Sequence, residues 1–126
     1  MGEYIHYINL DKKEFFAIVP FKFWENMAGE QPKVLLWLLT HTHRQMGLGW
    51  GDVKGYKYLG RWVGDRIIVL GDYDPMFKKL RIFDEYKDIT CEVIKEVMDY
   101  AKNEGLSDLY KYLDTSYKIQ CITINK

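Results

Sequence analysis

The residues best suited to chemistry in this 126-residue chain are three aspartates at the borders of a glycine-rich segment. Asp52 closes the run GLGWGD, and Asp72 and Asp74 follow further along the chain. Carboxylate oxygens are the ligands that hard cations prefer. We therefore predict that the three aspartates converge on a divalent cation or on a polar ligand such as a nucleotide. The alternative is that they are solvated turn residues, with Asp74 starting an Asp-Pro turn.

The glycine-rich segment itself is the second candidate. Seven of the ten glycines lie between Gly47 and Gly71, a density typical of turns and close backbone approaches. Successive amides of the loop could cradle an anion. However, no lysine followed by serine or threonine comes after the glycines, and the segment leads toward a strand, so neither nucleotide-binding fingerprint fits. We expect Trp50 to be partly exposed. The predicted ligand-binding residues are Gly49, Trp50, Gly51, Asp52, Asp72 and Asp74, of which the aspartates are the predicted metal ligands.

The histidines and cysteines are weaker candidates. His6 is interpreted as an ordinary interior or cross-strand residue. The chain has no Ser-His-Asp, HExxH or CxxC pattern, so a hydrolase with a nucleophilic side chain is not favoured. Cys91 and Cys121 could form one bridge, but because nothing in the sequence indicates an oxidising compartment, they are predicted to be free buried thiols.

A hairpin and a helix are predicted in the first third of the chain. Residues 4–10 alternate in character, break at a polar turn and resume at residues 14–19, as in a β-hairpin. Residues 32–45 begin with proline and are followed closely by glycine, which favours a helix.

A second hairpin is predicted to position the aspartates. Gly64-Asp65 would form its two-residue loop, between strands at residues 56–63 and 66–73. In that register Asp72 lies at the open end, near Asp52 and Asp74 and far from the turn. The face predicted to enter the core carries Tyr56, Tyr58, Trp62, Ile67, Val69 and Tyr73.

The C-terminal third is predicted to hold two helices and a last strand. The first helix spans residues 90–104, with Thr90 as its cap and Gly105 as its stop. Residues 106–113 continue as one or two helical turns, and the β-branched residues 117–124 form a strand. The expected fold is a single compact α+β domain over residues 1–126, with a mostly antiparallel sheet of hairpins and two or three packed helices. The apolar stripe of the first helix is Val93, Ile94, Val97, Met98 and Ala101.

The composition of the chain limits the kinds of partner that we expect it to bind. Eighteen basic residues balance eighteen acidic ones, so no electrostatic footprint for nucleic acid exists. The longest apolar run, Val34–Leu39, is far shorter than the roughly twenty residues of a membrane span. The N-terminus lacks the features of a signal peptide. We therefore expect a cytoplasmic protein without a membrane or nucleic-acid partner.

Three motifs resemble those of a family of small bacterial and phage proteins that has no assigned activity. They are NLDKKE, GxGxGD and GRWxGDRI followed by GDY, and they cover roughly residues 1–75. This chain departs from the glycine-rich pattern of that family at Leu48 and Trp50. The resemblance implies a shared scaffold and supplies no chemistry.

Two hypotheses for function follow. In the first, the chain is a non-enzymatic interaction protein, an accessory or phage- and defence-related factor that acts on a protein partner or as a homodimer. Its contact surface would include the loop around Trp50, because exposed aromatic residues are enriched at interfaces. In the second, it binds a nucleotide or a divalent cation through the Asp cluster, with or without turnover.

Overall fold

A four-stranded mixed sheet organises the fold. The computed structural model describes residues 3–18, 27, 29–41 and 55–122. Strand β1 pairs antiparallel with β2 and with β3, and β2 pairs in parallel with β4, in the order β3-β1-β2-β4. The predicted α+β fold with a mostly antiparallel sheet is confirmed. The strands are β1 (Ile5–Asn9), β2 (Glu14–Phe16), β3 (Ile67–Gly71) and β4 (Lys87–Asp88).

The first hairpin forms as predicted, and Asn9 explains its tight turn. Its Oδ1 atom accepts hydrogen bonds from the backbone N–H groups of Asp11 at 2.9 Å and Lys12 at 2.8 Å. Lys13 then takes a left-handed conformation with φ of 55°, and Glu14 begins β2 opposite Asn9. An asparagine side chain that binds the backbone two residues ahead is a common way to start a turn.

Five helices and one π-helical turn surround the sheet within the described residues. None of the described helices is long and apolar enough to cross a membrane. The predicted helix at residues 90–104 is confirmed: its whole apolar stripe is buried, and Gly105 follows it with φ of 73°. The helices are α1 (Pro32–Leu39), α2 (Pro75–Lys79), α3 (Ile82–Glu85), α4 (Thr90–Asn103) and α5 (Ser107–Tyr117), with the π-helical turn at Lys118–Ile122.

Apolar residues cover both faces of the central strand. Ile5 and Tyr7 belong to the larger core, which α1, α4 and α5 complete. Ile8, from the opposite face, belongs to a smaller core with Phe77 of α2 and Ile82 of α3. Because successive side chains of a strand point to opposite faces, apolar residues at both sets of positions bury all of β1.

The second predicted hairpin is wrong. Residues 55–66 form a series of turns, and β3 pairs with β1 rather than with residues 56–63. The carbonyl groups at the end of α1 explain the difference: Trp37 accepts from the Gly60 amide and Leu38 from the Trp62 amide, both at 2.9 Å. Trp62 is buried as predicted, but it enters the core from a loop. Of the other residues predicted on its face, Val69 and Tyr73 are exposed.

The structure also corrects the C-terminal strand and the cysteines. A strand was predicted at residues 117–124, but residues 117–122 are helical. Residues 123–126 lie outside the described part of the chain. Helix α5 returns along α4, so Cys121 comes back to the start of α4 and forms a disulfide with Cys91, with Cα atoms 5.8 Å apart. The prediction of free thiols was therefore wrong.

Candidate functional site: a pocket at the sheet edge

Only part of the predicted site lies within the residues that the structure describes. Asp72 and Asp74 follow β3, whereas Gly49, Trp50, Gly51 and Asp52 lie outside the described residues. Within the described residues, no three His, Cys, Asp or Glu side chains are placed to hold a metal ion. A site that includes Asp52 stays a prediction.

Asp74 has a local structural role. Its Oδ1 atom accepts a hydrogen bond from the Met76 amide at 2.8 Å, and Pro75 occupies the first turn of α2. This is the N-cap arrangement that an Asp-Pro sequence favours. The alternative interpretation of Asp74 as a turn residue is therefore confirmed.

Asp72 extends the pairing of β3 with β1 by one residue and also lines a pocket. Its backbone amide donates to the Tyr4 carbonyl at 3.0 Å, and its Oδ1 atom accepts from the Tyr4 amide at 3.1 Å. Beside this pair lies a pocket of about 190 Å³, called here the Asp72 pocket. Residues from β1, β2, α3, β4 and the C-terminal turn meet there. The lining consists of Tyr4, His6, Phe15, Ala17, Asp72, Phe83, Asp88 and Gln120.

His6 is the buried polar residue of the Asp72 pocket. It is only 5% exposed, and its Nδ1 atom lies 3.2 Å from the Tyr4 carbonyl oxygen. Because a carbonyl only accepts, the neutral ring donates from Nδ1 and leaves Nε2 as an acceptor. Nε2 has no hydrogen-bond partner among the described residues. Burial lowers the pKa of His6 despite the opposing effects of the Tyr4 carbonyl, Asp72 and Asp88. His6 is therefore uncharged at neutral pH.

Asp88 supplies the second carboxylate. Its Oδ1 atom accepts from the Thr90 amide at 2.9 Å and from the Thr90 hydroxyl at 2.5 Å, which fixes the start of α4. The Thr90 hydroxyl also lies 3.0 Å from the Ala17 amide, from which it accepts a hydrogen bond. The prediction that Thr90 caps α4 is wrong: Thr90 is the first residue of the helix, the N-cap residue is Ile89, and the Thr90 hydroxyl binds Asp88 and the Ala17 amide instead. The Oδ2 atoms of Asp72 and Asp88 make no hydrogen bond with the described residues.

Phe83 stands at the rim of the Asp72 pocket. Its ring lies 5.8 Å from the His6 ring, 5.9 Å from Phe15 and 5.3 Å from Phe77. Despite these contacts, Phe83 is 70% exposed, whereas Phe77 is 5% exposed. A large aromatic side chain at a surface, next to a polar pocket, is typical of contact sites.

Two glutamates that the sequence did not single out have structural roles. Glu14 is buried and accepts hydrogen bonds from the guanidinium of Arg61 and from Trp62 Nε1 at 2.9 Å. Burial alone would raise the pKa of Glu14, but those bonds outweigh it and lower the pKa. Glu96 accepts from Trp37 Nε1 and from two loop amides, each at 2.7 Å. Both carboxylates therefore hold the loop at residues 57–62 against the core.

Comparison of the chain with protein-family models, with curated proteins and with solved structures finds no match. The resemblance to a family of small bacterial and phage proteins stays a prediction. His6 and Asp88 were missed as members of a site. The sequence did contain a signal for the local bond of Asp88, because an aspartate side chain commonly accepts from the backbone amide two residues ahead. No local signal places it beside Asp72.

Proposed function

We propose that this chain is a non-enzymatic binding protein that acts through contact with a protein partner. The observation that supports the proposal best is Phe83, an aromatic residue that is largely exposed although it adjoins a buried aromatic cluster. Leaving such a ring in water forgoes part of the roughly 1.5–3 kcal/mol that its burial would contribute. A partner that covers Phe83 and the mouth of the Asp72 pocket would gain that free energy of burial.

The lining of the Asp72 pocket supports binding rather than turnover. The described residues of the lining include no serine, threonine or cysteine that His6 could activate as a nucleophile. One oxygen of each carboxylate already binds backbone, at Tyr4 for Asp72 and at Thr90 for Asp88. Such groups are fixed acceptors, which suits recognition. The loop around Trp50 stays a predicted part of the contact surface.

Affinity capture from cells that make the protein tests the proposal. Wild type is compared with Phe83→Ser and with Leu106→Ser, a control that removes an exposed apolar side chain from the turn between α4 and α5. We expect a stoichiometric partner, or self-association in sedimentation experiments, that is lost with Phe83→Ser and retained with Leu106→Ser. A strictly monomeric protein that captures no partner contradicts the proposal.

A small-ligand protein is the second candidate, in which Asp52, Asp72 and Asp74 bind a nucleotide or a divalent cation, with or without catalysis. One observation favours it: Asp72 lines a pocket together with the Nε2 acceptor of His6, which has no partner among the described residues. Thermal shift with a panel of nucleotides and divalent ions tests this candidate. An unchanged melting temperature across the panel eliminates it.

A cytoplasmic location and a bacterial or phage origin are also parts of the proposal. The disulfide between Cys91 and Cys121 weighs against the location, since such bridges persist mainly in oxidising compartments. Rapid alkylation of the protein in its native cells, followed by mass spectrometry, measures the state of both thiols. Alkylated thiols are expected in the cytoplasm, and a fully oxidised pair contradicts that location.

A further inference from the structure

The charge of the Asp72 pocket restricts what it can bind. Among the described residues, its lining carries the carboxylates of Asp72 and Asp88 and no lysine or arginine, and His6 is neutral. The Nε2 atom of the buried His6 adds a hydrogen-bond acceptor without a partner among the described residues. A group that enters the pocket therefore meets three acceptors and a negative potential, which suits a hydrogen-bond donor with positive charge.

The aromatic rings of the Asp72 pocket favour the same chemistry. Tyr4, Phe15 and Phe83 belong to its lining, and Phe83 presents an exposed ring at the rim. The face of an aromatic ring attracts cations, and a guanidinium stacks on it while it donates to a carboxylate. Carboxylates beside aromatic faces are thus suited to an organic cation.

The size of the Asp72 pocket limits how much of a ligand it can enclose. Its volume is about 190 Å³, below the roughly 300–1,000 Å³ of pockets that enclose a whole small molecule. A nucleotide would extend well outside it. The end group of one long side chain is a better match.

We propose that the Asp72 pocket binds the guanidinium group of an arginine that a protein partner presents, with Asp72 and Asp88 as charged acceptors and Phe83 as the stacking surface. The inference rests on the proposed function, because it names the chemistry of the contact. Arginine is preferred to lysine because its planar group both stacks and donates several hydrogen bonds in a fixed geometry.

A peptide titration followed by ¹H–¹⁵N NMR tests the inference without the partner. The probe is the capped tripeptide Ac-Gly-Arg-Gly-NH₂, and the matched control contains citrulline, a neutral group of nearly the same shape in which a carbonyl oxygen replaces one NH₂ group of the guanidinium. We expect saturable shifts at Tyr4, Asp72, Phe83 and Asp88 with the arginine peptide, and binding about ten-fold weaker with citrulline. Equal binding of both peptides, or shifts confined to other surfaces, would overturn the inference.

Two variants separate the roles of charge and fold. Asp72→Asn and Asp88→Asn each keep the Oδ1 acceptor that binds Tyr4 or Thr90, so the folded spectrum should persist. We expect the double variant to bind the arginine peptide about ten-fold more weakly, and Asp99→Asn, an exposed aspartate outside the lining, to bind it as wild type does. Unchanged binding by the folded double variant overturns the inference.

The two proposals fail in different ways. If partner capture depends on Phe83 but is unaffected by the double aspartate variant, the interaction function stands and the arginine inference is wrong. If the arginine peptide binds in the Asp72 pocket but no partner or self-association depends on Phe83, the proposed function is wrong.

Discussion

Two neighbouring phenylalanines should respond very differently to truncation. Phe77 and Phe83 have ring centroids 5.3 Å apart, and both contact the His6 ring. Phe77 is 5% exposed and belongs to the smaller core, whereas Phe83 is 70% exposed. The pair therefore separates the contribution of an aromatic residue to folding from a contribution to binding.

The expected magnitudes follow from burial. Truncation of a fully buried phenylalanine costs about 3–5 kcal/mol, so Phe77→Ala should lower the free energy of unfolding by that amount. Phe83 buries about a third of its surface, so Phe83→Ala should cost roughly 1 kcal/mol. In a domain of 126 residues, a loss of 1 kcal/mol lowers the melting temperature by about 3–6 °C.

Urea denaturation of wild type and both variants measures the difference. The slope of unfolding free energy against urea should stay constant, so that a shift in midpoint reports stability alone. Phe83→Ala should retain the native spectrum and lose partner capture. If Phe83→Ala destabilises the protein as much as Phe77→Ala, then Phe83 is a core residue and its assignment to a contact surface is refuted.

Three further perturbations test the rest of the structure. Glu14→Gln should lower the free energy of unfolding by about 1–2 kcal/mol through loss of a charge-assisted bond to the partly exposed Arg61. The pKa of Glu14 is lowered in the folded state, so its contribution to stability is present above the ordinary pKa of 4.5 and is lost as the pH falls below that value. An acid-denaturation midpoint that is the same in Glu14→Gln and wild type contradicts this contribution. Replacement of Cys91 and Cys121 by serine should cost about 3–4 kcal/mol in denaturant, because the bridge spans 30 residues; equal stability in reductant and oxidant would refute the bridge. The His6 ring should titrate below its ordinary pKa of 6.5 in NMR, so stability falls as pH drops below that value; a midpoint above 6.5 would show that the ring is not desolvated.

The elements predicted correctly from the sequence are those that are stabilised by interactions between residues close together in the chain. The turn at Asn9 and the apolar stripe of α4 are determined by residues a few positions apart, and both form as expected. The second hairpin failed because Gly64-Asp65 specifies a turn but not the partner of β3. Strand β1 pairs with β3, and the carbonyl groups at the end of α1 bind the amides of the segment that was predicted to pair with it.

The candidate site shows the same limit. Asp72 was identified from its type and position, but its companions in the pocket come from distant segments: His6 from β1, Asp88 from β4 and Gln120 from the C-terminal turn. Only the tertiary fold brings them together. The role of Asp74 as a helix cap and the bond of Asp88 to the Thr90 amide were within reach of the sequence, because each bond joins an aspartate to the residue two positions ahead.

Intermolecular NOEs in a complex with the arginine tripeptide test the role of the Asp72 pocket most directly. At a saturating peptide concentration, we expect NOEs from the arginine Hδ protons to the ring protons of Phe83 and Phe15, and none to the aromatic residues of the larger core. NOEs to another surface, or saturation without contacts to Phe83, would show that the pocket does not receive a cationic side chain.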